Sequence, residues 1–219
     1  MKVYPIFHSG FFVELEKHYL LFDYYKGQIP LLDSEKPLYV FVSHNHYDHY
    51  NPQIESATQY YKNRKFIVNG VHDSKYIYAD ANEEFLVDDV KITTFESTDE
   101  GVAFLVETEE KNIYHAGDLH LWYWDDDTEE ERQNMYNRYM AEMKKLEGRN
   151  IDAAFVVLDI RQSDDYAMLG LSIFNKLTNT KAIFPMHYSH DENLMEKRIT
   201  EMSNNRNVIN TRRYKCYEL

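Results

Sequence analysis

The sequence contains few cysteines, glycines and prolines. Its 219 residues include one cysteine, 7 glycines and 5 prolines. A single cysteine, Cys216, excludes an internal disulfide and is typical of a reducing compartment. So few glycines and prolines argue against linker-rich or low-complexity organisation. Because 43% of the residues are hydrophobic and 15% are aromatic, we expect a globular chain in which residues 1–219 form one domain.

Positive charge and long apolar runs are also scarce. The formal net charge is −13, and an acidic surface repels phosphate backbones, so we expect no nucleic-acid partner. No run approaches the ~18 apolar residues of a membrane span, so we expect no membrane partner. The N-terminal residues 1–5 lack the apolar stretch of a signal peptide. We therefore expect a cytoplasmic protein, and the sequence leaves its oligomeric state open.

One short segment is dense in histidine. Within six positions it carries three imidazoles and a carboxylate, namely His44, His46, Asp48 and His49. Imidazole is the commonest metal ligand, and carboxylate often accompanies it. The preceding residues 38–42 are apolar and β-prone, while Asn51-Pro52 is typical of a helix start. The segment is thus a predicted loop at the end of a strand, able to present ligands to two neighbouring cations.

Apolar periodicity predicts a mixture of strands and helices. Strands are predicted at residues 11–14, 19–22, 38–42, 66–68, 91–95, 102–107, 112–114, 153–158, 181–186 and 213–217. Helices are predicted at residues 52–63, 128–147 and 164–177, and after Ser189 with Met195, Ile199 and Met202 on one face. The helix at 128–147 has the clearest signals, because Thr128 and Glu131 form a capping-box pattern and Gly148 follows its end. This alternation predicts an α/β or α+β fold.

Two later residues supply further metal ligands of the right type. Four ligands on one loop cannot saturate two cations, so others must come from elsewhere. Asp118 follows Gly117 beyond the predicted strand 112–114, where a carboxylate can give one oxygen to each of two metals. His187 follows the predicted strand 181–186. Both are strand-end positions like that of the histidine-rich loop.

The order of these residues resembles that of the metallo-β-lactamase-fold hydrolases. The family pattern is a strand-end aspartate, H-x-H-x-D-H, a further histidine, a bridging aspartate and a late histidine. The chain matches four of these five in order, at Asp23, residues 44–49, Asp118 and His187. Two short motifs most resemble the branch that includes ascorbate-6-phosphate lactonase: His8-Ser9-Gly10-Phe11 and Pro185-Met186-His187.

The resemblance implies a fold, a site and an activity. The fold is a four-layer αββα sandwich of two mixed sheets, with the metal site at an edge where the sheets meet. His44 and His46 would bind the first metal, Asp118 would bridge, and three residues would bind the second: Asp48, His49 and His187. Asp23 would hold a ligand or the loop in place.

One element of the family pattern is missing from this chain. The family has a histidine near the position of residues 97–99, which here read Ser-Thr-Asp. Asp99 is the best local substitute on chemical grounds. His120 and His8 are other candidates, although each is more often a neighbour of ligands than a ligand. His115 could orient a ligand, and we expect surface positions for His18, His72 and His190.

The leading hypothesis is a metal-dependent hydrolase of a small molecule. One or two zinc ions, with manganese or iron as alternatives, would activate water. Asp48 would hold or accept the proton of the nucleophile. The substrate would be an ester, lactone, amide or phosphodiester bound beside the aromatic residues 119–124, and Arg161 is a candidate contact for an anionic group. The alternatives are a non-catalytic metal-binding descendant and a phosphodiesterase acting on nucleic acid or a cyclic nucleotide.

Overall fold

The computed structural model describes residues 1–188, 192–201, 207–211 and 215–219. These residues contain thirteen strands and four helices. The strands are β1 Lys2–Phe7, β2 Gly10–Glu14, β3 Tyr19–Phe22, β4 Leu38–Val42, β5 Arg64–Val68, β6 Ile77–Tyr78, β7 Glu84–Val87, β8 Val90–Glu96, β9 Val102–Thr108, β10 Lys111–His115, β11 Asn150–Val157, β12 Asn179–Met186 and β13 Tyr217–Glu218. The helices are α1 Ile54–Ala57, α2 Glu129–Leu146, α3 Leu169–Leu177 and α4 Glu192–Glu201.

The strands form two mixed sheets. The first sheet has the order β13-β1-β2-β3-β4-β5-β6, with parallel pairing from β3 to β6. The second has the order β12-β11-β10-β9-β8-β7, with parallel pairing from β10 to β12. All five residues of β4 are buried, as expected of a central parallel strand covered on both faces.

The core lies between the two sheets. Phe11 of the first sheet stacks on Phe155 of the second, with ring centroids 4.1 Å apart. Helices flank the sheets, and α3 packs against β11, β12 and α2. The α/β sandwich predicted from the sequence is therefore confirmed. No helix in the described part of the chain is long and apolar enough to span a membrane.

Several predicted elements are shorter in the structure. The helix expected at 52–63 consists only of α1, and a turn follows it. At its end the Arg64 guanidinium donates to the Glu55 carbonyl at 2.6 Å, and the Thr58 hydroxyl donates to the Ile54 carbonyl at 2.7 Å. Residues before Leu169 form turns, so the helix expected at 164–177 begins later than predicted. The capping box at Thr128 is present: Thr128 N–H donates to Glu131 Oε2 at 2.8 Å.

Other differences concern short strands and the C-terminal region. The sequence analysis missed β1, β6 and β7, whose alternation of apolar residues is weak or brief. Of the terminal strand expected at 213–217, residues 213 and 214 lie outside the described residues, and β13 overlaps the predicted strand at Tyr217. Ser189, His190, Met202 and the side chain of Met195 lie outside the described residues, so those expectations stay predictions.

Candidate metal centre

The candidate site lies where the C-terminal ends of several strands meet. Parallel strands place these ends at one edge of their sheet, which is where ligand sites form in α/β proteins. The strands β3 and β4 of the first sheet, and β10, β11 and β12 of the second, each lead into a site residue. Those residues are, in order, Asp23, the 43–49 loop, Asp118, Asp159 and His187.

Asp118 lies between two groups of imidazoles. Its Oδ1 is 3.1 Å from His49 Nε2 and 3.4 Å from His187 Nε2, whereas its Oδ2 is 3.4 Å from His44 Nε2. Two ligand atoms that are each about 2.1 Å from one tetrahedral ion are about 3.4 Å apart. Each carboxylate oxygen of Asp118 therefore faces a different group at a separation suited to sharing an ion.

The first group consists of His44, His46 and Asp118. One ligand atom from each residue lies within 4.8 Å of the others, and His44 Nε2 is 3.0 Å from His46 Nδ1. His44 is buried while His46 is exposed. Burial, with the neighbouring His49, lowers the pKa of His44 to about 4, so its imidazole is neutral and suited to binding a metal.

The second group consists of His8, Asp48, His49 and His187, again with ligand atoms within 4.8 Å of one another. The sequence analysis placed Asp48, His49 and His187 together. It offered His8 only as a substitute for the missing histidine of the first site. The structure instead brings His8 into the second group, with its Nε2 3.5 Å from Asp48 Oδ2.

Buried carboxylates hold the second group from behind. His49 Nδ1 donates to Asp23 Oδ2 at 2.7 Å, and His187 Nδ1 donates to Asp159 Oδ2 at 2.9 Å. Asp23 also accepts from the backbone N–H and hydroxyl of Ser43, so it holds the loop as well as a ligand. Sequence reasoning missed Asp159, although its position just beyond β11 is the same strand-end signal that identified Asp118.

Two glycines allow the loops of the site to approach each other. A Cβ on Gly101 would lie 2.0 Å from Ser43 O and 2.6 Å from His44 Cβ. A Cβ on Gly117 would lie 2.6 Å from Val102 O. Both glycines have positive φ. Any side chain at these positions would push the histidine loop away from Asp118.

In residues 97–99, where the family histidine is missing, the two hydroxyl groups are already engaged in hydrogen bonds. The Thr98 hydroxyl donates to His120 O and accepts from His120 N, and the Ser97 hydroxyl accepts from Asp99 N. Asp99 is exposed as a residue, but partial desolvation of its carboxyl group, together with Asp118, raises the pKa of that group. In the described part of the chain, Asp99 is not in the group of atoms close enough to share an ion.

Other histidines occupy supporting positions. His115 is buried and donates from Nε2 to Ser9 O, while its Nδ1 accepts from Gly117 N. His120 is buried and bonds Gln162 Oε1 at 2.8 Å. Neither belongs to the two ligand groups found among the described residues.

The expectation of a surface position was wrong for His18 and right for His72. His18 is buried. Its Nδ1 lies 2.8 Å from a Glu109 carboxylate oxygen and its Nε2 lies 3.2 Å from an Asp89 carboxylate oxygen. His72 is exposed and stacks on Tyr78.

The polar atoms of the site fit a bound metal. Both ring nitrogens of His8 are buried without a hydrogen-bond partner. His49 Nε2 and Asp118 Oδ1 lie 3.1 Å apart but do not form a hydrogen bond of good geometry, and they have no other partner. Such atoms are costly in a folded protein unless a ligand satisfies them. Burial lowers the pKa of His49, but Asp118 and Asp23 outweigh it and raise that pKa to about 10. The centre thus attracts positive charge, which a divalent ion would supply in place of a proton.

Aromatic residues line one side of the centre. The Trp122 ring meets the His187 ring edge-on at 5.6 Å, and its indole N–H donates to Asp118 O at 3.0 Å. Trp122 stacks with Trp124 at 6.2 Å, and the Arg161 guanidinium lies 5.9 Å from the Trp124 ring. The segment after Asp118 therefore both packs against the ligands and extends toward solvent.

This arrangement of two mixed sheets with flanking helices is that of the metallo-β-lactamase sandwich. A family model described as the beta-lactamase superfamily domain matches residues 2–134, which is more than half of the chain. The chain belongs to this family. Among curated proteins, none matches the sequence at a significant level.

Three solved structures illustrate the shared fold. Igni18, a metallo hydrolase from Ignicoccus hospitalis, is 17% identical over 100% of this chain and 98% of that chain, with a TM-score of 0.63. YhfI from Bacillus subtilis, a metallo-beta-lactamase fold protein, is 15% identical over 91% and 92%, with a TM-score of 0.58. CmlA from Streptomyces venezuelae, a diiron beta-hydroxylase, is 9% identical, and the match covers 93% of this chain but 50% of CmlA, with a TM-score of 0.61.

Proposed function

We propose that this protein is a metal-dependent hydrolase that uses a two-cation centre to activate water. The observation that carries the proposal is the position of Asp118, whose two oxygens face separate imidazole groups at 3.1–3.4 Å. The ligands are His44, His46 and Asp118 for one cation and Asp48, His49, His187 and Asp118 for the other.

The bound cations would lower the pKa of water and polarise the scissile carbonyl or phosphoryl oxygen. The protein's own groups would position and relay protons. Asp48 is the candidate to accept the proton of the nucleophile, because its carboxylate is the more solvent-exposed ligand of its group, with a side chain 25% exposed against 6% or less for His8, His49 and His187. Asp23 and Asp159 fix the orientation of two imidazoles, which such sites require.

The substrate we favour is a small molecule with a scissile ester, lactone, amide or phosphodiester bond and an anionic group. Arg161 is 59% exposed, is anchored to Asp159 and lies beside Trp124, so it can meet such a group at the rim. The net charge of −13 disfavours nucleic acid. We also propose that the protein belongs to the lactonase-like branch that the sequence motifs suggest. The single cysteine supports a location in a reducing cellular compartment.

Zinc is the metal we favour, because the donors are mainly imidazole and carboxylate, but these donors also suit iron and manganese. The fold likeness to a diiron protein makes iron worth testing on equal terms. The first experiment is therefore to prepare metal-free protein, load it with Zn²⁺, Mn²⁺ or Fe²⁺, and assay lactones, thioesters, amides and phosphodiesters.

The decisive variant is Asp118→Asn, with exposed Asp126→Asn as the matched control. We expect Asp118→Asn to lower kcat/KM on the order of 10³-fold, because several kcal/mol of metal-derived stabilisation is lost. Asp126→Asn should leave it unchanged. If no substrate is turned over with any of the three metals while the ions still bind, the non-catalytic alternative is favoured.

A further inference from the structure

His8 has an unusual conformation and an unusual environment. It lies in the turn between β1 and β2 with a φ of 57°, a region that costs a non-glycine residue free energy. Its side chain is only 6% exposed, and neither ring nitrogen has a hydrogen-bond partner. A buried imidazole left unpaired is a further cost. Because His8 bears both costs, we expect it to bind a ligand that satisfies its ring nitrogens.

The surroundings of His8 identify what that ligand would be. Its Nε2 is 3.5 Å from Asp48 Oδ2, and its ring centroid is 4.3 Å from that of His187 and 5.6 Å from that of His49. The backbone also ties the turn to the site, because His187 N donates to His8 O at 3.4 Å. One ligand atom from each of these four residues lies within 4.8 Å of the others, and three imidazoles with a carboxylate are a typical transition-metal donor set.

The two ligand groups are consequently unequal. The first has two imidazoles and an oxygen of Asp118, and the histidine that would complete it is absent from residues 97–99. The second has three imidazoles, the Asp48 carboxylate and the other oxygen of Asp118. The chain thus has an extra donor on one side of Asp118 and lacks one on the other.

We propose that His8 is a direct metal ligand of the second group, so that this chain holds one cation tightly there and a second more weakly at His44, His46 and Asp118. This inference rests on the proposed metal centre and adds a ligand and an order of occupancy to it. The tightly held ion would be the resident one, and the weaker position would leave room for substrate.

The first test counts imidazoles in the unaltered protein. Metal-free protein is loaded with one equivalent of Zn²⁺, and X-ray absorption at the zinc edge reports the number of coordinating histidines. We expect three, from His8, His49 and His187. A count of two would overturn the proposal.

The second test compares His8→Asn with His72→Asn by calorimetric titration of metal-free protein with Zn²⁺. Asparagine tolerates a positive φ but is a poor zinc ligand, so the turn should be retained. We expect two binding steps in the unaltered protein, and His8→Asn should weaken the tighter step by ~10- to 100-fold without changing the weaker one. His72→Asn, which alters an exposed imidazole outside both groups, should bind like the parent.

The outcomes separate this proposal from the proposed function. If His8→Asn binds Zn²⁺ like the parent while the parent hydrolyses a substrate, His8 is not a ligand but the hydrolase proposal stands. If the parent itself binds no ion, both fail. If His8→Asn does not fold, as judged by circular dichroism, the imidazole count on the parent still decides.

Discussion

The two sides of the metal centre are held in different ways. On the second side, buried carboxylates fix the imidazoles, with Asp23 on His49 and Asp159 on His187. On the first side, His44 is held by the Ser43 hydroxyl at 3.0 Å, and the exposed imidazole of His46 is within hydrogen-bond distance only of His44 among the side-chain hydrogen bonds of the described residues. Anionic partners make an imidazole a better donor and fix its orientation. The imidazoles of the second side are therefore preorganised to bind a cation, whereas the imidazoles of the first side depend on the incoming ion to fix their orientation.

The largest effect should come from removing an anionic anchor, with Asp23→Asn. Asparagine accepts the φ of 42° at this position, so the change removes charge rather than backbone fit. We expect the affinity for the tighter ion to fall ~10- to 100-fold, and the free energy of unfolding to fall by about 2 kcal/mol because a charged buried hydrogen bond is lost. Metal titration and urea unfolding measure these effects.

The matched control is Asp88→Asn, which also has a positive φ but an exposed carboxylate paired with Lys65 and Tyr39. It should leave metal binding unchanged. If the parent and Asp23→Asn bind the tighter ion with equal affinity, the buried carboxylates do not contribute to metal binding and the contrast between the two sides is wrong.

An intermediate effect should come from supplying the missing imidazole, with Asp99→His. Asp99 interacts electrostatically with His46 and Asp118, so a histidine there would stand beside the first side. We expect the weaker ion to bind about tenfold more tightly, because one added ligand would contribute about 1.4 kcal/mol. Zinc titration measures the change. The neighbouring exposed Glu100→His is the control, and equal gains from both variants would indicate a non-specific effect.

The smallest effect should come from changing Asp152, whose carboxylate pairs with lysines rather than with imidazoles. Asp152 lies beside Lys181 at 2.7 Å and accepts from Asn112 N. Burial raises the pKa of Asp152, but Lys181, Asn112 and Lys111 outweigh it, so its folded-state pKa is depressed. Its contribution is therefore present above the unfolded-state value of about 4 and is lost as the pH falls through the lower folded-state value.

Asp152→Asn should lower stability at neutral pH by less than about 1 kcal/mol and should flatten the acid limb of the stability curve. Urea unfolding from pH 7 to pH 3 measures this effect, and metal affinity should not change. A shift in metal affinity would mean that the centre is sensitive to charge well beyond its own carboxylates.

The sequence predicted which candidate ligands would lie together because they stand near strand ends. His44, His46, Asp48 and His49 share one loop, His187 directly follows β12, and Asp118 comes three residues after the end of β10. That these residues act as metal ligands stays a prediction, but the structure brings them together. Asp159 was missed because an aspartate near a strand end is most often a turn residue, and nothing in one sequence pairs it with His187.

The position of His8 could not be predicted for a different reason. It depends on the turn between β1 and β2, and β1 was not recognised because its apolar pattern is irregular. Likewise, the end of α1 is bonded by a residue of another element, because Arg64 of β5 donates to the Glu55 carbonyl. Local periodicity carries no information about such a contact between residues outside the element itself.

The Ser43 hydroxyl has a consequence for the hydrogen positions of the site. Its single proton goes to Asp23 Oδ2 at 2.7 Å, so at His44 Nδ1 it must accept a proton rather than give one. His44 is thereby fixed as the tautomer whose Nε2 carries a lone pair, and this nitrogen lies 3.0 Å from His46 Nδ1 and 3.4 Å from an anionic oxygen of Asp118. Two electron-rich atoms so placed repel each other unless a positive charge lies between them.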